Sequence, residues 1–286
     1  APRTEGATVA LNSSSFGTRR VNNSTFHIVF TDLDGTLLDH HDYSYDLSMP
    51  GIALLRGAGI PLVLVSSKTA SEMEALRRKL GLAAPFVCEN GGGIAFPSEH
   101  GKEPRIEAMG MSAAELEARS DLLKRAAGRR IRLITDMDPN EIAALTGLEP
   151  EAARKVRERS HSIPFLTADG SSIDLPEVNR LLGREGLAVT RGGRFYHLGT
   201  AGVDKGLAVS RILAHYRPDA GEADIVTTGL GDSENDLPML KAVDRPVLVR
   251  KPDGSFLKTD MDVILTEGRG PAGFTEAIFR LFARGA

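Results

Sequence analysis

Tryptophan is absent from this chain, cysteine occurs once, and aromatic residues make up only 5% of its 286 positions. A lone cysteine, Cys88, cannot close an internal disulfide, which excludes a disulfide framework and points to a reducing, cytoplasmic setting. Long apolar runs are missing too. The longest clean stretch, Ile60 to Val65, falls far short of the ~20 residues a bilayer span needs, so no transmembrane segment is expected. Neither sign of charge is in excess: 35 Lys and Arg against 38 Asp and Glu leave a net charge of −3. That balance removes the electrostatic footprint of a dedicated nucleic-acid binder. What remains is globular in composition, 41% hydrophobic and 26% charged, and long enough for roughly two domains.

Residues 1–25 form a polar stretch with little periodicity, containing Asn12, Ser13, Ser14, Ser15, Asn22, Asn23 and Ser24, as a disordered arm would. Its best apolar piece, Thr8 to Leu11, is too short for the core of a signal peptide. From Phe26 the pattern changes. His27 to Thr31 reads as a buried strand, Pro50 to Ala58 as a helix, Ile60 to Val65 as a strand, Ser71 to Leu80 as a helix, and Pro85 to Cys88 as a strand. This alternation implies βαβ units and a parallel sheet. The stretch 101–198 differs: one long helix over Ser112 to Ala127, helices over Pro139 to Leu145 and Glu149 to Ser160, and strand-like pieces at Arg130 to Thr135, Ile163 to Thr167, Leu187 to Arg191 and Arg194 to Leu198. It reads as an inserted α/β domain with an antiparallel sheet. After Gly202 the first pattern returns, with a helix over Lys205 to His215 and strands at Asp224 to Leu230 and Val247 to Val249.

Four local features carry chemistry. Asp32-Leu33-Asp34-Gly35-Thr36 closes the first strand, and ligands of open parallel sheets bind beyond the carboxyl ends of the strands. One carboxylate there can attack phosphorus while the other handles protons. A calcium loop would need a glutamate at its twelfth position, which is Tyr43, so that alternative fails. Thr228 to Asp236 closes another apolar strand and offers Asp232 and Asp236. Two or three carboxylates with a phosphate oxygen suit Mg²⁺, which prefers oxygen ligands. Each of these acidic loops alone could be a turn or a helix cap; together they point to phosphoryl transfer. Val65 to Thr69 ends the second strand with Ser66 at a helix start suited to phosphate, and Asp204-Lys205-Gly206 brings a point charge in Lys205.

In this order the four pieces resemble the haloacid dehalogenase superfamily of phosphohydrolases, with the match running over about 26–96 and 199–286. The resemblance implies a Rossmann-like parallel-sheet core over 26–100 and 199–286 and an inserted α/β cap over 101–198. It further implies Asp32 as nucleophile, Asp34 as general acid and base, and Ser66 and Lys205 on the phosphoryl group. Mg²⁺ would lie on Asp32, the Asp34 backbone carbonyl and Asp232, with Asp236 beside it. Within that superfamily the chain is most similar to the mannosyl-3-phosphoglycerate phosphatase family, on Leu38 to Tyr43, Ser66 to Thr69 with Glu72, and Pro85 to Ile94 with Glu89-Asn90-Gly91-Gly92. Asp136-Met137, Leu145 to Leu148 and Gly192 to Leu198 agree as well. The arm departs from the family, as does Ile163 where a glutamate is usual before the Pro-Phe pair.

The activity so implied is hydrolysis of mannosyl-3-phosphoglycerate through an aspartyl-phosphate. Lys68, Asn90, Arg194 and His197 are the expected contacts to the carboxylate or sugar of a small phosphorylated glycoside. Arg194 and His197 are favoured because Gly192-Gly193 lets their turn approach a ligand closely. Cys88 reads as a small core residue, and the adjacent His40 and His41 as part of a flap, since neighbours do not share a face as metal ligands would. The alternatives are the glucosyl epimer or a broader sugar-phosphate range, phosphomannomutase-like transfer, and a non-catalytic phosphate-binding regulator. Monomer and homodimer are both open.

Overall fold

The computed structural model describes residues 25–98, 103–147, 149–192 and 194–283. The expected N-terminal arm, except for Thr25, lies outside these residues, as do residues 101 and 102 at the expected start of the insert, Leu148, and Gly193. In chain order the strands are β1 (Thr25–Thr31), β2 (Leu62–Val65), β3 (Phe86–Cys88), β4 (Gly93–Phe96), β5 (Arg105–Ala108), β6 (Ile131–Leu133), β7 (Ile163–Thr167), β8 (Leu187–Arg191), β9 (Tyr196–Thr200), β10 (Asp224–Gly231), β11 (Arg245–Arg250) and β12 (Ile264–Arg269).

Eight of them form one sheet in the order β12-β11-β10-β1-β2-β3-β4-β5. From β12 to β3 the pairing is parallel, and only β3-β4 and β4-β5 run antiparallel. The central strands are buried on both faces, which is why they read as unbroken apolar runs. In β1, Val29 faces a core shared with Ile52 and Leu55 of helix Met49–Gly57 and with Phe274 and Ile278 of helix Gly270–Phe282. Its neighbours Ile28 and Phe30 point the other way, onto Val209 and Ile212 of helix Lys205–Ala220 and Met239 of helix Leu237–Lys241.

A second sheet, β6-β7-β9-β8, is wholly antiparallel, with its own apolar core around Leu123, Phe165, Val178, Leu187 and Leu198. The α/β class, with a mostly parallel sheet and a separate antiparallel one, agrees with the sequence reading. Several details differ. The strand Arg105–Ala108, within the span expected for the insert, pairs along β4 and so extends the large sheet. The helix expected over Ser112 to Ala127 is broken at Ala118 and Arg119 into Ala113–Glu117 and Ser120–Ala127. Its second half packs against helix Leu175–Leu182, an element absent from the sequence reading, so tertiary packing decides the direction. The sequence pattern also does not mark edge strand β12 or helix Gly270–Phe282, which extend and cover the large sheet. Among the described residues no helix is long and apolar enough to cross a membrane.

Candidate active site

Register brings the motifs together. Thr31 lies opposite Leu230 of β10 and Leu64 of β2, so the carboxyl ends of three adjacent strands align. The strand order reverses at β10-β1-β2, which opens a crevice at those ends. Asp32, Ser66 and Asp232 each follow within a residue of their strand ends. Asp204 accepts hydrogen bonds from Gly206 N–H and Leu207 N–H, both at 2.9 Å, and this cap sets Lys205 at the first turn of its helix.

Lys205 is fully buried, and its Nζ donates to Asp32 Oδ1 and to Asp236 Oδ1, each at 2.6 Å. Burial alone would lower its pKa, but the two carboxylates outweigh that and hold the ammonium charged. Asp236 spends its other oxygen on the loop, accepting from Asp232 N–H at 3.0 Å and from Ser233 N–H at 2.9 Å. Asp32, Asp232 and Asp236 bring carboxylate oxygens within 4.8 Å of one another. Burial, reinforced by Asp236, pushes the Asp32 carboxyl well up. The same two causes push Asp232 up to about 7.

This donor set fits a divalent cation. Three carboxylates against one lysine leave an excess of two negative charges when all are ionised. Asp232 Oδ1 is buried and has no hydrogen-bond partner, which is costly unless something else satisfies it. All the donors are hard oxygens. Gly35 (φ +86°) keeps the loop close to this group, since a Cβ there would stand 2.9 Å from Asp232 Oδ2.

The cleft beyond these aspartates is lined by the core residues Asp34, Tyr43 and Lys68 and by Arg159, Arg194 and His197 from the second-sheet region. Lys68 Nζ pairs with Asp34 Oδ1 at 2.9 Å; burial lowers its pKa, but Asp34 and Glu72 together raise it further. Arg194 Nη1 donates to the Thr146 carbonyl and to Tyr43 Oη at 2.7 Å, joining the two halves at the mouth. His197 is buried, and burial with the nearby Arg159 and Lys205 charges pushes its pKa down to about 3, so its imidazole is neutral. Gly192 makes room for that ring, as a Cβ there would stand 2.9 Å from His197 Nε2.

Of the residues singled out from sequence, Asp32, Asp34, Asp232, Lys68, Arg194 and His197 line the cleft. Asp236 and Lys205 lie beneath it. Ser66 is buried at its edge, its Oγ accepting from Lys68 N–H at 3.3 Å. Asn90 does not reach the cleft. It lines a smaller cavity behind His197, and its Oδ1 accepts from Asn235 Nδ2 at 3.0 Å. Cys88 is buried in β3 and burial pushes its thiol up to about 12, so it is inert as a nucleophile. Tyr43 and Arg159 line the cleft as well, although the sequence reading gave neither as a ligand contact. Arg159, which donates from Nε to Val156 O and from Nη1 to Ser67 O, lies in a charged run that resembles a solvated helix face.

The sequence profile of a family described as haloacid dehalogenase-like hydrolase matches residues 29–138 and 146–257. A glucosyl-3-phosphoglycerate/mannosyl-3-phosphoglycerate phosphatase of Methanococcoides burtonii is 38% identical over 90% of this chain and 98% of its own length. One of the same name from Persephonella marina is 36% identical over 89% of this chain and 96% of its own. Among solved structures, a phosphatase of the haloalkanoate (HAD) enzyme superfamily from Bacteroides thetaiotaomicron superposes with a TM-score of 0.62. At 19% identity over 94% of this chain and 99% of its own, it speaks for the fold alone.

Proposed function

Because this chain belongs to the haloacid dehalogenase-like hydrolases, we propose that it hydrolyses mannosyl-3-phosphoglycerate to mannosylglycerate and phosphate through a phosphorylated Asp32. One observation carries the reading: Asp32 is pinned by buried Lys205 beside Asp232 and Asp236, under a cleft whose walls hold Lys68, Arg159 and Arg194. Cations there suit a substrate that bears both phosphate and carboxylate. The names of the two curated relatives join the glucosyl and mannosyl compounds, which supports the glucosyl epimer as a second substrate of the same site.

Asp32 attacks phosphorus in line, and the bond to the glycerate oxygen breaks with its electron pair on that oxygen. Asp34 delivers the proton that completes the leaving alcohol. Water then attacks the phospho-aspartate and gives its proton back to Asp34; the phosphorus–Asp32 bond breaks, and phosphate leaves with the carboxylate restored. Ser66 and Lys205 hold the transferring phosphoryl group, while Lys205 also aims Asp32. Mg²⁺ held by Asp32, Asp232 and the Asp34 backbone carbonyl, with Asp236 alongside, would neutralise charge on the phosphoryl oxygens. Lys68, paired with Asp34 and lining the cleft, is placed to meet the glycerate carboxylate. Arg194 and His197 read the glycosyl part, His197 as a neutral hydrogen-bonding ring. The single, buried cysteine supports action in the reducing cytoplasm.

Phosphate release from mannosyl- and glucosyl-3-phosphoglycerate and from plain sugar phosphates, with Mg²⁺ and with chelator, tests the reading. Fast release from the glycosyl-phosphoglycerates, lost on chelation, is expected. Preference for simple sugar phosphates would overturn the substrate. Turnover that needs a hexose bisphosphate and yields little phosphate would instead mark a mutase.

A further inference from the structure

The turn formed by residues 89–91 has no part in the steps above, yet it is held in a costly conformation. Glu89 and Asn90 have φ of 51° and 57°, left-handed backbone that residues with side chains rarely adopt, and never cheaply in succession. Its neighbours over-determine it. Glu89 N–H donates to the Lys68 carbonyl and Asn90 N–H to the Ser66 carbonyl, each at 2.9 Å. Asn90 Oδ1 accepts from Asn235. Gly91 (φ 100°) lies so close to the next loop that a Cβ would overlap the carbonyl oxygen of Asp204. The turn therefore touches the loop that carries Ser66, the cap of the Lys205 helix, and the loop that carries Asp232.

Its one charged side chain faces the insert. Glu89 is 3% exposed, and its carboxylate accepts from Ser160 N–H at 2.8 Å, His161 N–H at 3.0 Å and Ser162 Oγ at 2.7 Å. Three donors converging on one carboxylate make a strong, directional joint that an amide cannot copy, because its NH₂ would meet a donor. Ser162 leads directly into β7, whose Pro164 lies opposite His197 of β9. Just before, Arg159 sends its second bond across to the Ser67 carbonyl. A carboxylate rooted among the phosphoryl-binding loops thus grips the segment that carries the glycoside-facing wall.

We propose that Glu89 is a positioning residue: its carboxylate sets the wall bearing His197 and Arg159 at a fixed distance from Asp32, Ser66 and Lys205. The glycosyl part of the substrate is thereby held in line with its phosphoryl group. This rests on the phosphatase reading above. A joint that only stabilised the fold would affect every substrate alike, whereas one that sets the wall matters only to substrates that reach it.

The test compares kcat and KM of Glu89→Gln on mannosyl-3-phosphoglycerate and on p-nitrophenyl phosphate, whose leaving group carries no sugar. For the glycosyl compound kcat/KM falls by about tenfold or more, while p-nitrophenyl phosphate stays within about twofold. A parallel loss on both substrates, or no loss on the glycosyl compound, overturns the proposal. If Glu89→Gln does not fold, Ser162→Ala, which removes one of the three donors, carries the same comparison. It is expected to lose about threefold on the glycosyl compound and nothing on the small one, and the same contrary outcomes count against the proposal. A wild-type enzyme inactive on glycosyl-phosphoglycerates would overturn the substrate reading instead, and that is seen before any substitution is made.

Discussion

Lys205 shows how a buried charge is made tolerable. It has no exposure at all, and two carboxylates at 2.6 Å accept hydrogen bonds from its ammonium and balance its charge. The reverse holds for the acidic group, where oxygens within 4.8 Å repel by about 3 kcal/mol per ionised pair at an effective dielectric of 20. Asp32→Asn removes one of these charges. Its melting temperature is expected to stay level or rise, while phosphate release falls by about 10³-fold or more. Thermal melts and a phosphate assay on one preparation check both halves. His197 gives a pH effect of defined sign. Its pKa is pushed down to about 3 in the fold against about 6.5 when unfolded, so the unfolded chain binds the extra proton between those values. The stability it contributes is intact above about 6.5 and is lost as pH falls towards 3. Urea unfolding from pH 7 to pH 4 reads this as a slope that His197→Gln reduces. The aspartates and Lys205 were legible in the sequence because each sits in a short motif next to an apolar strand. Arg159 was not, because its value depends on a contact with Ser67 from 92 positions away.

At the scale of elements, β1, β2 and β10 announced themselves because strands buried on both faces leave unbroken apolar runs. Strand β12 did not: Thr266 is its one buried residue, and the pattern along Ile264–Arg269 is too polar to read as core. Helix Leu175–Leu182 does carry a local signal, an Asp174 cap accepting from Glu177 N–H at 3.1 Å with proline in the first turn. The loops that join strands to helices are where backbone geometry is most demanding. Gly35→Ala combines a φ of +86° with a Cβ 2.9 Å from Asp232 Oδ2. It is expected to cost about 1–3 kcal/mol in denaturant unfolding and to weaken Mg²⁺ binding by displacing Asp232.

For the whole molecule, two sheets with separate cores meet across one cleft, and among the described residues the chain passes between them near 109–112 and 201–204. Met111 N–H donates to Thr200 Oγ1 at 2.8 Å, so the two crossings are tied together. The change of pattern was legible in the sequence, but the contacts that tie the two sheet regions together, Glu89 to Ser160, His161 and Ser162 and Arg194 to Tyr43, join residues far apart in the chain. A cation bound only by the folded arrangement of acidic loops stabilises the fold by mass action, about 2.7 kcal/mol at a hundredfold excess over Kd. Mg²⁺ should therefore raise the melting temperature of the wild-type protein, and Asp232→Asn should abolish most of that rise.

The most direct measurement of the central claim is chemical trapping of the phosphorylated residue. The enzyme is mixed with mannosyl-3-phosphoglycerate and Mg²⁺, quenched within a turnover and reduced with borohydride, and its peptides are then mapped by mass spectrometry. Reduction at Asp32, dependent on substrate and absent elsewhere, is the predicted result. An unmodified Asp32 under turnover, or modification at another acidic residue instead, would contradict it.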